Sequence, residues 1–323
     1  LRKINTVHFH IKLFLTMKYH YKMIFFLNLF KNLYFKYKFL AILSKPYRCV
    51  ISYFSKDFPY LIRDIDSYNN LYTKDILSII PDNNFYSIKT ILQALNISSD
   101  EVFCEHGLYF GEYFQERLKN SWIKSVVSFS DFRGEVISSN NKNKILIGPY
   151  IHYVKPIEDH YFDEEYFLVM ITHSAKGIKL KQNYNLNNYI MSLEKKFGIK
   201  SLLLIHPNDF NTVKGYNLNY TTCGLMEDKY FLNRLKRLIL DSKFVVTDFI
   251  GTHIGYITFL NKKIFAIKKS FIYEGSKENF KKEFGERILT DLYISQISKL
   301  ENEIKYDEFI ESDIFHQLVS EYW

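Results

Sequence analysis

The sequence predicts a two-lobed α/β protein with parallel sheets, in which the N-terminal lobe is short. The stretch Phe244–Lys268 has the pattern of a strand, a tight polar turn, a helix and a second strand. Elsewhere, short apolar runs have the length of buried parallel strands, and polar residues follow them directly. The 323 residues, 47% of them hydrophobic, are enough for two moderate domains. We therefore expect ligand-binding residues at the carboxyl ends of the strands.

Composition favours an anionic partner and a reducing compartment. The chain carries 43 Lys and Arg against 35 Asp and Glu, a net charge of +8, which suits nucleotide sugars, lipid phosphates and acidic glycans. Cys49, Cys104 and Cys223 are far apart and have no zinc-site spacing, so we expect free thiols and a cytoplasmic protein. The chain has no recognisable nucleic-acid-binding motif, and we expect no nucleic-acid partner.

Residues 1–45 form a basic and aromatic segment. Lys is interleaved with Phe, Tyr, Leu and Ile over most of its length, and no window of about 18 residues is free of charge, as a membrane-spanning helix requires. We expect this segment to lie on an anionic membrane surface, where each Lys or Arg contributes about 1 kcal/mol. Alternatively, the natural chain starts at Met17 or Met23, and the preceding residues do not belong to it.

The first lobe is expected to span residues 46–157. A helix is predicted at Ser87–Leu95, and apolar runs predict strands at Cys49–Phe54, Glu101–Cys104, Val126–Ser130 and Lys144–Ile147. Pro149, Pro156 and the acidic run that follows them indicate a linker, with the domain boundary near residue 157.

The second lobe is expected to span residues 158–323. It has predicted strands at Phe167–Ile171, Lys200–Ile205 and Phe244–Val246, and predicted helices at Asn187–Phe197 and Lys229–Leu240. The second of these helices has one apolar stripe, and its basic residues are predicted to face solvent: Lys229, Arg234, Lys236 and Arg237. Two further helical segments are predicted at Lys277–Lys282 and Leu300–Phe309.

Polar turns follow the strands of both lobes. In the first lobe the candidates are Glu105, His106, Gly107, Arg133 and His152. In the second lobe they follow three strands: His173, Ser174 and Lys176, then His206, Pro207 and Asn208, then Asp248, Gly251, Thr252, His253 and Tyr256. Gly251 permits a sharp turn and Thr252 can cap the next helix, whose first N–H groups suit an anion. The alternatives are structural: a capping Glu105, packed histidines, and surface positions for Arg133 and His152.

A specific resemblance is carried by Asp228–Lys268, Ile205-His206-Pro207 and Glu105-His106-Gly107. These segments are similar to bacterial surface-polysaccharide glycosyltransferases of the GT-B fold, in particular the polysialyltransferase-like and CDP-glycerol glycerophosphotransferase-like groups. The likeness consists of short motifs between about residue 100 and residue 270. It implies two Rossmann-like lobes, an N-terminal acceptor side and a C-terminal side that binds the nucleotide donor.

The resemblance also implies a reaction: inverting, metal-independent transfer of a sugar from a CMP-, CDP- or UDP-linked donor to a capsule, lipopolysaccharide or lipid-linked acceptor. Glu105 or His106 would take the proton of the acceptor hydroxyl, and His206 would stabilise the leaving phosphate. The polar turns of the second lobe would hold the donor, and Gly107, Arg133 and His152 would lie on the acceptor side. The histidines and the helix start make a metal or cofactor unnecessary.

Two other functions fit the same sequence. One is the transfer of glycerol phosphate or ribitol phosphate from a CDP-alcohol, which uses the same fold and a different donor. The other is a non-catalytic basic protein that binds a membrane or nucleic acid, for which net charge is the main support. For an enzyme of either kind, the expected location is the cytoplasm, at the inner face of the membrane.

Overall fold

The computed structural model describes residues 91–92, 94–97, 102–105, 110–111, 123–158, 164–173, 179–206, 209–213, 215–223, 230–274 and 291–323. All of them belong to one compact unit, Asp82–Trp323, and the other unit, Leu1–Pro81, lies outside the described residues. The predicted membrane-surface segment, the predicted strand Cys49–Phe54 and the predicted helix Lys277–Lys282 therefore also lie outside them.

The described strands are β1 Val102–Cys104, β2 Ser125–Ser128, β3 Asn143–Leu146, β4 Tyr166–Met170, β5 Lys179–Gln182, β6 Lys200–Leu204, β7 Asn219–Thr221, β8 Val245–Thr247, β9 Ile264–Ala266, β10 Phe271–Glu274 and β11 Glu308–Phe309. The helices are α1 Asp131–Ser139, α2 Leu186–Phe197, α3 Phe210–Val213, α4 Phe231–Asp241, α5 Thr252–Phe259, α6 Asp291–Asn302 and α7 Asp313–Tyr322, with a 3-10 turn at Tyr150–Tyr153. No described helix is long and apolar enough to cross a bilayer.

The main sheet has a Rossmann-like strand order. Its six strands run β11-β9-β8-β4-β6-β7, and every pair is parallel except β11 with β9. Counted along the chain, the five parallel strands lie in the order 5-4-1-2-3, which, read from the other edge, is that of the first five strands of the doubly wound Rossmann sheet. The predicted α/β class with parallel strands is confirmed at this level.

Burial explains why these runs form central strands. Tyr166, Phe167, Leu168 and Val169 of β4 are at most 1% exposed, and all of β8 and β9 is buried. A strand covered on both faces carries a continuous apolar run instead of an alternating one. The helix predicted at Asn187–Phe197 is α2, where the Asn185 side chain accepts a hydrogen bond from Asn188 N and Gly198 ends the helix at φ 69°.

The prediction that the basic face of α4 points to solvent is wrong for Arg234, Lys236 and Arg237, and Lys229 lies outside the described residues. Arg234 is 2% exposed and donates to Cys223 O at 3.1 Å. Lys236 Nζ donates to Ile151 O at 3.0 Å and to Val154 O at 2.8 Å, and Arg237 Nε donates to Ile157 O at 2.7 Å. The segment predicted as a linker provides the backbone carbonyl oxygens of Ile151, Val154 and Ile157, and these accept hydrogen bonds from Lys236 and Arg237.

A second sheet contains three parallel strands in the order β1-β2-β3. Phe103, Val126 and Ile137 pack with Ile123 on one side of it. Val102, Cys104 and Val127 belong instead to the hydrophobic core that also includes Leu168, Val245 and Ile257 of the main sheet and its helices. The predicted boundary near residue 157 falls inside this unit, and the division into acceptor-side and donor-side domains stays a prediction.

The prediction of a helix at Leu300–Phe309 is wrong after Asn302. Helix α6 ends at Asn302, Asp307 adopts φ 67°, and β11 follows. Asp307 N donates to Ala266 O at 2.7 Å, and Ile310 N donates to Ile264 O at 2.9 Å. Pairing with β9 satisfies backbone groups that a local pattern of charged residues cannot reveal.

Candidate functional site

The crevice of the main sheet lies where the strand order reverses, between β4 and β8. From β4 the chain moves outward to β6 and β7, and β8 and β9 lie on the opposite side. The loops at the carboxyl ends of β4 and β8 therefore leave in opposite directions, and open α/β sheets bind ligands in the gap between such loops. Thr172 and His173 follow β4, and Asp248 follows β8 directly.

Asp248 ties together the loops around this crevice. Its Oδ1 accepts hydrogen bonds from Thr172 N at 2.7 Å and Thr172 Oγ1 at 3.1 Å, and its Oδ2 accepts from Ser270 N at 2.9 Å. The side chain is buried, which raises the pKa of Asp248, while the bonds from Ser270 and Thr172 act in the opposite direction. Its carboxylate therefore positions the crevice wall.

His173 lies close enough to His206 and to His253 to affect the pKa of each. The rings of His173 and His206 stack with their centroids 5.1 Å apart and an angle of 22° between their planes. Burial, together with the nearby His173, lowers the pKa of His206 to about 3 and that of His253 to about 3. Both imidazoles are therefore neutral near pH 7, and His173 is the exposed member of the group.

His253 is held from two sides. Its Nε2 is 2.8 Å from Thr247 Oγ1, and its ring centroid is 4.3 Å from that of Phe249. A Cβ at Gly251 would come 2.7 Å from Phe249 Cε2, so glycine is needed for this close approach. The prediction that Thr252 caps the helix is wrong: Gly251 is the N-cap, Thr252 is already helical, and no side-chain cap bond forms.

The cavity next to the stacked histidines is very small. A cavity of about 10 Å³, close to the space of one water molecule, is lined by Ile171, Thr172, His173, Leu204, Ile205, His206, Asp209, Thr212, Val213 and Phe271. A nucleotide is far larger than this space. A ligand of that size therefore does not fit in this cavity.

Glu105 and Arg133, two candidates of the first lobe, form one buried ion pair. Arg133 Nη2 lies 2.6 Å from Glu105 Oε1, and both side chains are 1% exposed. Arg133 Nε donates to Glu105 Oε2 at 3.2 Å, Ser128 Oγ also donates to Oε2, and Arg133 Nη1 donates to Gly111 O at 3.3 Å. Both oxygens of Glu105 are thus engaged within the protein, at the carboxyl end of the small sheet.

Tyr256 and His152 lie away from the crevice. Tyr256 is 4% exposed, in the shared core, with its ring centroid 6.2 Å from that of Phe129. His152 is exposed, and its ring packs 5.2 Å from Phe259 at the end of α5. With a rise of 1.5 Å per helical residue, that end lies roughly 10 Å from Thr252.

The candidates His106, Gly107, Ser174, Lys176, Pro207 and Asn208 lie outside the described residues. Four residues that bond to the candidates were not among them: Ser128, Thr172, Thr247 and Ser270. Ser128 and Thr247 are the last residues of β2 and β8, so their places at strand ends were an available signal. Ser270 had none, because its partner is 22 residues away.

Within the described ranges, no group of three or more His, Cys, Asp and Glu side chains is arranged to hold a metal ion. The chain matches no protein-family model, and comparisons with curated proteins and with solved structures give no significant match.

Proposed function

We propose that this protein is a glycosyltransferase that moves a sugar from a nucleotide-activated donor to a surface-glycan or lipid-linked acceptor, by an inverting, metal-independent reaction. The observation that carries the proposal is the reversal of strand order between β4 and β8, where Asp248 joins the loops and His173 stacks on His206. The crevice at such a reversal is where Rossmann-like sheets bind nucleotides.

In this proposal the nucleotide phosphates lie between the exposed side of His173 and the start of α5. The positive end of the helix dipole favours an anion there, and the net charge of +8 attracts one. His206, neutral near pH 7, donates a hydrogen bond to the leaving phosphate from one ring nitrogen. Charge that develops on the leaving group is stabilised without a metal ion.

The proton of the acceptor hydroxyl goes to His106 in this proposal. Both oxygens of Glu105 are engaged by Arg133 and Ser128, so His106 is the better candidate for the base. A neutral imidazole within hydrogen-bond reach of a sugar hydroxyl contributes typically about 10²–10⁴-fold to the rate.

We propose the cytoplasm, at the inner face of the membrane, as the place of the reaction. The supporting observation is that the buried Cys104 and Cys223 are thiols, the state that a reducing compartment maintains. The basic segment 1–45 would bring the enzyme to anionic lipid, where a lipid-linked acceptor is found.

Thermal-shift measurements with CMP, CDP, UDP and GDP test the donor site. One nucleotide should raise the melting temperature, because a ligand at about 100 times its dissociation constant adds about 2.7 kcal/mol to the free energy of unfolding. His173→Ala should abolish the shift, and His316→Ala, an exposed histidine on α7, should keep it. The proposal is wrong if no nucleotide stabilises the protein, or if His173→Ala responds like the wild type.

Product analysis then identifies the reaction. We expect turnover of a nucleotide sugar, with loss of activity in His106→Ala. Release of CMP from CDP-glycerol without turnover of any nucleotide sugar would replace sugar transfer by polyol-phosphate transfer. Salt-sensitive nucleic-acid binding without nucleotide affinity would indicate a non-catalytic protein.

A further inference from the structure

A pocket of about 380 Å³ is lined by the end of β5 and residues between β5 and α2, by the first turn of α2 and by residues that follow α3. Its described lining consists of Gln182, Tyr184, Asn185, Asn187, Gly215 and Tyr216. The volume lies within the range of small-molecule sites, about 300–1,000 Å³. The pocket therefore has room for one sugar ring with its substituents.

The chemistry of this lining is neutral. Among the described lining residues there are three amides and two phenols, and none carries a charge. An amide offers donors and an acceptor side by side, and a tyrosine adds an apolar ring with a hydroxyl. This combination complements a ligand with several hydroxyl groups and apolar C–H faces, and among the described lining residues an ionic group has no counter-charge.

Two of the amides are held in place by the fold. Asn187 Oδ1 accepts a hydrogen bond from Asn217 N at 2.8 Å, and Asn185 Oδ1 accepts from Asn188 N at 3.0 Å. The exposed Gln182 side chain makes no hydrogen bond to another described residue. The pocket thus combines fixed amides with one whose hydrogen-bonding groups are available to a ligand.

Tyr216 contributes a hydroxyl group whose hydrogen-bonding capacity is unused among the described residues. Its hydroxyl is buried and has no hydrogen-bond partner among the described residues. A buried polar atom without a partner is uncommon in folded proteins and calls for a missing ligand or water. A sugar hydroxyl, or a water ordered by a bound sugar, would satisfy it.

The pocket is connected to the crevice through its walls. Tyr184 OH donates to Lys268 O at 2.8 Å and lies 3.1 Å from Ser270 Oγ, and Ser270 N donates to Asp248. On the other wall, Gly215 and Tyr216 follow α3, whose Thr212 and Val213 line the cavity beneath the stacked histidines. The pocket wall is therefore linked to Asp248 by the hydrogen bonds of Ser270.

We propose that this pocket binds one neutral hexose or N-acetylhexosamine unit of a glycan. The role of that unit, as the transferred sugar or as part of the acceptor, rests on the proposed function. Binding of the sugar does not depend on it.

Saturation-transfer NMR tests the site with the methyl glycosides of glucose, galactose and N-acetylglucosamine, and with methyl sialoside as the acidic counterpart. At least one neutral glycoside should receive saturation from the protein, and methyl sialoside should not. Gln182→Ala and Tyr216→Phe should each weaken binding by about two- to ten-fold, the effect of one hydrogen bond. Gln317→Ala, which removes an exposed amide on α7, should bind like the wild type.

Tyr216→Phe should not lower the melting temperature of the free protein, because the hydroxyl it removes has no partner to lose. If Tyr216→Phe does lower the melting temperature, the binding measurement on Gln182→Ala remains the test, because shortening an exposed side chain should leave the fold intact. The inference is overturned if no neutral glycoside binds, if the acidic sugar binds better, or if Gln182→Ala binds as well as Gln317→Ala.

The nucleotide thermal shift of the same variants separates this inference from the proposed function. Gln182→Ala and Tyr216→Phe should both keep the rise in melting temperature with nucleotide, since neither side chain lies at the crevice. Sugar binding without any nucleotide shift would leave the pocket standing and refute the glycosyltransferase. A rise in melting temperature with a nucleotide, without sugar binding, would refute the sugar pocket and leave the proposed glycosyltransferase standing.

Discussion

Glu105 and Arg133 show how a residue pair can look catalytic in the sequence and be engaged in the structure. Each follows a strand of the small sheet, which is a position where α/β folds display chemistry. The side chains meet across 28 residues of chain, with 1% exposure each. An ion pair buried this deeply stabilises the turn only while both partners are present.

We expect Glu105→Gln to lower the free energy of unfolding by about 3–5 kcal/mol, because it leaves the buried guanidinium of Arg133 without its counter-charge. Urea unfolding measures this change. The matched control is Asp131→Asn, whose pair with Lys144 lies at the edge of the same sheet with side chains 89% and 45% exposed, and which should cost about 1 kcal/mol or less. Equal costs for the two substitutions would contradict a structural role for Glu105.

His253 should make folding sensitive to acid. Its pKa is lowered from 6.5 to about 3 by burial, so between these values the unfolded state binds a proton that the folded state refuses. The stabilisation is fully present above pH 6.5 and is lost as the pH falls towards 3. In His253→Gln, the slope of unfolding free energy against pH between 4 and 6 should decrease by about 1 kcal/mol per pH unit.

The control for this measurement is His316→Gln, at an exposed position of α7. It should leave the slope as in the wild type. If His253→Gln also keeps the wild-type slope, His253 takes up its proton without unfolding the protein.

At the scale of elements, α5 depends on a glycine inside the helix. Trp323 follows α7 and packs directly on α5, and its Nε1 donates to Thr252 O at 3.1 Å. A Cβ at Gly255 would lie 2.0 Å from Trp323 Cδ1 and 2.2 Å from Cγ. Glycine in a helix normally costs about 1 kcal/mol relative to alanine. Here the absence of a side chain lets α5 and Trp323 come together at the edge of the crevice.

Gly255→Ala should therefore destabilise the protein by about 1–3 kcal/mol, the usual cost of overpacking, although helix propensity alone favours alanine. Guanidinium unfolding of the variant measures the sign. In a Trp323→Ala background the same substitution should be neutral or stabilising, because the indole ring is gone. The same cost in both backgrounds would refute the contact as its cause.

Helix α4 shows how the meaning of a charged face depends on its neighbour. Lys236 and Arg237 bind backbone carbonyls of residues 151–157, and Asn233 Nδ2 donates to Lys155 O at 2.7 Å. Burial also lowers the pKa of Lys236. A basic stripe on a helix usually faces water, and only the path of a distant segment determined that this one does not.

At the scale of the whole unit, the two sheets share side chains. Phe129, after β2, stacks on Tyr150 at 4.4 Å and lies near Tyr256 of α5. Ser130 Oγ donates to Tyr322 O at 2.9 Å, and Phe110 contacts Tyr322 and Trp323. Contacts of this kind make a cooperative unit, because neither sheet can open without exposing the core of the other.

Native-state hydrogen exchange should therefore give the same opening free energy for the amides of Val127 in β2 and Val246 in β8, since both strands lie on the same core. Phe129→Ala should lower both values together. A lower free energy at Val127 alone, with Val246 unaffected by the substitution, would show two separately folding domains and support a boundary near residue 157.

The sequence by itself determined the α/β class, most strand positions and the polar turns at strand ends. These properties follow from runs of a few residues, since burial on both faces demands an apolar run and a turn demands polar residues or glycine. Val245–Thr247 and Lys200–Leu204 are strands where the pattern predicted them. The histidines of the second lobe were candidates for the same local reason.

Only the tertiary structure decided which of these groups meet and what each one does. Strand order brings Asp248 to Thr172 across 76 residues, Glu105 finds Arg133, and the last residues of Leu300–Phe309 become an edge strand. Hydrogen bonds and ion pairs depend on positions within a few tenths of an ångström, and the positions of distant segments come from packing of the whole core. A local pattern therefore predicts the elements and their candidate groups, and the packed structure sorts those groups into crevice, ion pair and core.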